Sequence, residues 1–158
     1  ATLALVDALK VERGVATTVF AFGEDDHEGN TIQRIKGIKE TVYDAANRGR
    51  ALLANVARGR STPTEVALLH GGYELVASKV KKKIVFVITD GEPASRQATE
   101  EAYEALKRQG VEVLALGIHD AGCIDNFSDK SAVISDISTL KDALFGLATE
   151  SLEQALVA

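Results

Sequence analysis

Two oxygen-bearing positions carry most of the chemistry this sequence offers. Asp90 closes the run Ile84-Val85-Phe86-Val87-Ile88-Thr89 and is followed by Gly91-Glu92-Pro93. That run has no charge and ends at turn residues, so it reads as a fully buried strand of a parallel sheet. In open α/β sheets the carboxyl ends of the strands are where ligands bind, which makes the Asp90 carboxylate a candidate site. Thr62 sits in Arg60-Ser61-Thr62-Pro63-Thr64-Glu65, just ahead of a helical pattern. Its hydroxyl would place a second hard oxygen on a neighbouring loop, and hydroxyl, carboxylate and water oxygens are the donors Mg²⁺ prefers. Thr62 also has a local reading, which local reasoning favours. It is a good N-cap, Pro63 suits the first helical position, and Glu65 falls where a capping box needs it. Cap and ligand compete for the same Oγ.

Other chemistries find less support. A bound phosphate needs a glycine-rich turn between strand and helix, and neither G-x-G-x-x-G nor G-x-x-x-x-G-K-[ST] occurs. The pair Gly71-Gly72 lies mid-helix, where small residues suit close packing. No G-x-S-x-G elbow is present to raise a nucleophile. His119-Asp120 with Cys123 and Asp125 lacks the paired spacing of a zinc site and reads as a loop after a strand. His27 and His70 read as solvated or packing residues. Lys79 with Lys81-Lys82-Lys83 falls at the end of the strand opposite Asp90 and reads as a solvated helix end.

Positioning these groups requires a full domain, and the chain supplies one. Its 158 residues fit a single domain over positions 1–158 with a substantial core, and 46% apolar with 26% charged residues is a globular composition. A net charge of −5 excludes a general nucleic-acid binder. No apolar stretch approaches the roughly 18 residues of a membrane span. Cys123 is the one cysteine, which points to a reducing, cytoplasmic setting.

Periodicity gives a helix over 1–12, stopped by Gly14, and a strand over 15–22. An acidic loop with Glu24, Asp25, Asp26 and Glu28 follows, then an edge strand or irregular segment near 35–39 guarded by charges. Helices are expected over 43–56 and 63–79. The first turns Ala45, Leu52, Leu53 and Val56 inward and ends at the break Gly59-Arg60-Ser61. The second turns Val66, Leu69, Tyr73 and Val76 inward. After the strand at 84–89 come a helix over 96–109, a strand over 111–118, a short strand at 132–134 and a closing helix over 140–157. The closing helix places Leu140, Leu144, Leu147, Leu152 and Leu156 inside. Strands alternating with helices predict a doubly wound α/β fold, a mostly parallel sheet with helices on both faces.

The order Phe-Ala-Phe-Gly ending a strand, Thr-Pro-Thr-x-x-Ala-Leu opening a helix, Val-Ile-Thr-Asp-Gly-Glu-Pro, and Val-Glu-Val-Leu-Ala-Leu-Gly-Ile resembles a von Willebrand factor A domain. The likeness covers nearly the whole chain and is strongest between Ser61 and Ile118. It implies a metal-ion-dependent adhesion site at the carboxyl edge of the sheet, with Thr62 and Asp90 as two of its metal ligands. The family's first, central strand and its D-x-S-x-S motif have no match here. Asp129-Lys130-Ser131 and Asp136-Ile137-Ser138 begin such a motif and fail. The resemblance therefore implies an N-terminally incomplete module whose missing strand belongs between the strands near Val15 and Ile84. An upstream segment or another chain would fill that place, and the absence of methionine fits the first.

The function implied is a non-catalytic protein-binding module. It would hold Mg²⁺ (or Mn²⁺ or Ca²⁺), weakly in this chain alone, and its protein partner would donate a carboxylate to the metal. Neither nucleic acid nor membrane is expected as a partner. The intracellular branch that works beside AAA+ ATPases, including chelatase subunits, is the nearest in character. The alternatives are an α/β enzyme or nucleotide binder using Asp90, and a structural domain with a degenerate metal site.

Overall fold

A strand without a polar side must be covered on both faces, which is how helices come to flank a parallel sheet. The computed structural model describes residues 2–10, 15–23, 32–56, 61–119 and 123–157, the side chains of 50–56 and 154–157 excepted. Gly14, Glu24–Glu28, Gly59, Arg60 and Asp120 lie outside the described residues, as do the side chains of Leu52, Leu53, Val56 and Leu156. The elements run α1 (Thr2–Leu9), β1 (Val19–Phe22), β2 (Ile32–Lys36), α2 (Val42–Val56), α3 (Thr64–Ala77), β3 (Lys83–Thr89), α4 (Arg96–Arg108), β4 (Val111–Ile118), β5 (Lys130–Ile134) and α5 (Leu140–Val157). No helix among the described residues is long and apolar enough to cross a membrane.

The main sheet has the order β3-β4-β5 and is parallel throughout, with Lys83 opposite Val111 and Leu114 opposite Lys130. The pleat divides its side chains between two cores. On one face Val87, Val113 and Ala115 meet Leu68 of α3 and Ala102, Tyr103 and Leu106 of α4. On the other, Phe86, Ile88 and Leu116 meet Leu5 of α1 and Leu144, Leu147 and Ala148 of α5. Helices therefore cover both faces, the doubly wound α/β arrangement.

A separate two-stranded antiparallel ribbon, β1-β2, pairs Phe22 with Ile32 and Val19 with Lys36. The edge strand is present but begins earlier than 35–39. Lys36 does not guard it from solvent. Its side chain is buried, and its ammonium donates to the carbonyls of Thr17 and Gly37, both at 3.0 Å.

Three expectations need correction. β3 is not fully buried: only Val87 and Thr89 are, because among the described residues β3 is an edge of its sheet and pairs with β4 alone. The inward face of α3 is not Val66, Leu69 and Tyr73, which are 39%, 49% and 78% exposed. Thr64, Leu68 and Gly72 point inward instead, with Val76 half-buried against them as expected. Their i, i+4, i+8 stripe carries the smallest residue to the crossing with α4, where a Cβ on Gly72 would stand 2.2 Å from Leu106 Cδ2. Close approach at Gly72 decides which face turns inward; at Gly71 the space is open. The third correction concerns the start of α3 and belongs to the site.

Candidate metal centre

Parallel pairing puts the carboxyl ends of β3, β4 and β5 on one edge of the sheet, so Asp90 stands at that edge, exposed. The turn after β3 is fixed from below. Gly91 N–H donates to Thr89 Oγ1 at 3.2 Å, and the Thr89 hydroxyl donates to the Gly91 carbonyl at 3.1 Å. Beyond it, Ser95 caps α4 by accepting from Ala98 N–H at 3.2 Å, anchoring the far end of the loop.

The loop before α3 docks onto this turn through Thr62. Its carbonyl accepts from Ala94 N–H and from Thr64 N–H, each at 2.8 Å. Its Oγ1 lies 3.0 Å from the place a Cβ on Gly91 would occupy. The structure thus brings Thr62 beside the Asp90–Gly91 turn.

It does not make Thr62 a cap. Pro63 takes the N-cap position, outside the helix proper, with φ −75° and ψ 67°, and among the described residues no side chain caps the helix. Pro63 has no N–H, and Thr64 N–H is already used by the Thr62 carbonyl, so the carbonyl does locally what the hydroxyl was expected to do. The expected competition for Oγ is therefore absent. Glu65 closes no capping box either: its Oε2 is buried without a hydrogen-bond partner among the described residues. One hydroxyl and one carboxylate on abutting loops suit a hard divalent cation in kind.

The neighbouring acid is occupied. Glu92 accepts from Arg96 Nη2 at 2.7 Å and Nε at 3.1 Å, which raises the Arg96 pKa. Cys123 is buried beside this pair. Burial first, and then the Glu92 carboxylate, push its thiol pKa up, so it is a packing residue rather than a nucleophile. The spacing of Glu92 and Arg96 signals their pair in the sequence, whereas nothing local signals Cys123 as a third member.

The remaining sequence candidates have structural roles. Asp125 binds the Ser131 hydroxyl, and His119, at φ +62°, donates its N–H to the Ile134 carbonyl at 2.7 Å. Among the described residues no group of three His, Cys, Asp or Glu side chains is placed to hold a metal. Asp129 accepts from Val113 N–H at 2.8 Å and Tyr103 Oη at 2.9 Å. Asp136 accepts from Ser138 N–H at 2.8 Å, which holds its pKa down. His70 is exposed and meets Phe20 edge-on, 4.7 Å between centroids.

Comparison with known proteins gives a consistent picture. The family model described as the von Willebrand factor type A domain matches residues 45–156. No curated protein matches. Among solved structures, the chain is similar to proximal thread matrix protein 1 from the mussel byssus with a zinc-occupied MIDAS motif. That match has TM-score 0.70 and 18% identity, covering 92% of this chain and 40% of that one. A second crystal form gives the same figures. A third structure of that protein gives TM-score 0.64 and 19% identity, over 88% of this chain and 37% of that one. The chain thus spans about two fifths of the solved protein it matches.

Proposed function

Because the chain belongs to the von Willebrand factor type A family, we propose that its carboxyl-edge loops form a divalent-metal-dependent protein-binding site, with Thr62 and Asp90 among the metal ligands. The observation that carries this reading is the docking of the Thr62 hydroxyl against the Asp90–Gly91 turn with no helix cap to consume it. Mg²⁺ is the first candidate, with Mn²⁺ or Ca²⁺ as substitutes, since both donors are hard oxygens. A bound ion would supply an open coordination position for a carboxylate of the partner. The protein's own groups orient the two donors, and Arg96 holds Glu92 in an ion pair.

The separation of β1-β2 from β3-β4-β5 supports a second part of the reading. β1 and β3, which belong to separate sheets, are half-buried over most of their length. Unpaired edges of this kind call for a strand between them, and with it further oxygen ligands. The domain is then one unit lacking its central strand. An AAA+ ATPase is the first partner to test, and an intracellular setting rests on the single cysteine.

Titration calorimetry with Mg²⁺ and Mn²⁺ tests the metal. Two protein oxygens hold a reluctantly dehydrated ion weakly, so no submicromolar site is expected, and Asp90→Ala should abolish the weak one. Tight binding that survives Asp90→Ala would place the ligands elsewhere, with the acidic run Glu24–Glu28 the first to examine.

A further inference from the structure

The outward face of α3 is apolar. The crossing at Gly72 turns Thr64, Leu68 and Gly72 to the core, which leaves Val66, Leu69 and Tyr73 on the solvent side. Spaced i, i+3, i+7, they form one stripe about 10 Å long at the helical rise. Single exposed apolar residues are ordinary, but a contiguous stripe marks a contact surface. α3 carries no lysine or arginine to break it.

α4 lies alongside and runs the same way, from the carboxyl edge of the sheet to its amino edge. The loop before α3 is bonded at Ala94, ahead of α4, and Gly72 meets Leu106 further down. The second contact sets Val66 to Tyr73 level with the middle and end of α4, where Glu100, Glu101 and Glu104 are exposed. Among the described residues none of these three is in an ion pair. Glu101 accepts from the neutral Gln97 amide at 2.9 Å. The cations of the same helix are engaged or displaced. Arg96 holds Glu92, Lys107 Nζ donates to Tyr103 Oη at 2.9 Å, and Arg108 stands in the last turn, past the glutamates. Packed helices have axes about 8–10 Å apart, so a groove with one apolar and one acidic crest runs between α3 and α4.

We propose that this groove docks a basic amphipathic helix of a partner protein, its apolar residues on Val66, Leu69 and Tyr73 and its lysines or arginines on Glu100, Glu101 and Glu104. A helix laid in a groove reads as i, i+3, i+7 anchors, the spacing the stripe presents. Charge selects the class of partner. A second copy of the chain, paired about a two-fold axis, would bring the same glutamates of both copies into one interface. Anionic lipid and nucleic acid would be repelled by these glutamates and by the net charge of −5. The surface needs no metal.

The test is fluorescence anisotropy of a labelled Leu/Lys amphipathic peptide of about four helical turns with the full chain, in EDTA so that the metal site makes no contribution. A Leu/Glu peptide of the same pattern is the comparison. The Leu/Lys peptide should bind saturably, more weakly as salt rises, and the Leu/Glu peptide at least roughly tenfold less tightly. Leu69→Ser with Tyr73→Ser should weaken binding roughly tenfold by removing the apolar anchors. Glu101→Lys with Glu104→Lys should weaken it about as much and shift the preference toward the Leu/Glu peptide. All four positions are exposed, and circular dichroism should show the fold intact. Tyr43→Ser, which removes an exposed aromatic from α2, should leave binding unchanged. Four outcomes overturn the proposal: no saturable binding at low salt, equal binding of the two peptides, equal loss with Tyr43→Ser, or a dimer of the chain that Tyr73→Ser dissolves.

Discussion

β3 and β4 lie side by side, carry similar apolar sequences, and end in different environments. β4 is buried at six of its eight residues, from Val111 to Gly117 with only Glu112 half-exposed. β3 is buried at two of seven. Their pairing is in register and their side chains enter the same two cores. The difference is the neighbour: among the described residues β4 has a strand on each side, and β3 has one. Apolar composition states that a strand is meant to be covered, while the number of adjacent strands decides whether it is. The carboxyl end of the less covered strand carries the candidate metal ligand.

Truncations across one register pair make the contrast quantitative. Leu116 and Ile88 are opposite each other, on the same face and in the same core, but Leu116 is wholly buried and Ile88 half-buried. Leu116→Ala should cost about 3 kcal/mol in urea unfolding, within the range for buried leucines, and Ile88→Ala about half that. Equal costs would mean that β3 is as enclosed as β4 in solution.

A smaller effect is expected at the turn that ends β3. Gly91→Ala would force its Cβ against Thr62 Oγ1, which must shift by a few tenths of an ångström. Metal affinity should fall severalfold while stability changes by less than about 1 kcal/mol. Thr62→Ala should weaken metal binding likewise, yet cost less stability than the ~1 kcal/mol of a lost cap, since the Thr62 carbonyl keeps its bonds to Thr64 and Ala94. A full cap-sized loss in a thermal melt would return Thr62 to the role of N-cap.

The smallest effect lies on the ribbon side. The Arg48 guanidinium, bonded to Glu40 at 2.7 Å, and the Gly37 N–H lower the Glu40 pKa from 4.5 to about 2. A depressed carboxylate pKa contributes stability above the unfolded value, and that contribution is lost as pH falls through the folded one. Glu40→Gln should therefore lower the melting temperature slightly at neutral pH, with the gap to the parent closing between pH 4.5 and about 2. A gap that persists below pH 2 would assign the effect to packing.

Much of this was legible in the sequence where a single element decides its own fate. β4 and α5 have the expected bounds, because Gly110, at φ +73°, stops one element and leucine periodicity sustains the other. Legibility failed where a neighbour decides. Val66, Leu69 and Tyr73 form a regular apolar stripe, yet the close crossing at Gly72 turned the helix the other way. Thr62-Pro63-Thr64-Glu65 spells a capping box, yet the proline became the cap and the threonine carbonyl took the local bonds. At the site, motif order placed Thr62 and Asp90 on one edge. The burial of Cys123 beside Glu92 and Arg96 depends on a contact between two crossovers that no local pattern records.

Paramagnetic broadening by Mn²⁺ in the ¹H–¹⁵N spectrum of the chain tests the metal centre most directly, because it reports weak binding residue by residue. The amides of Thr62, Asp90 and Gly91 should broaden first, those of Lys82, Gly110 and Glu112 at the opposite edge should stay sharp, and Asp90→Ala should restore the first group. Broadening centred away from the Thr62–Asp90 turn, or unchanged by Asp90→Ala, would contradict the account.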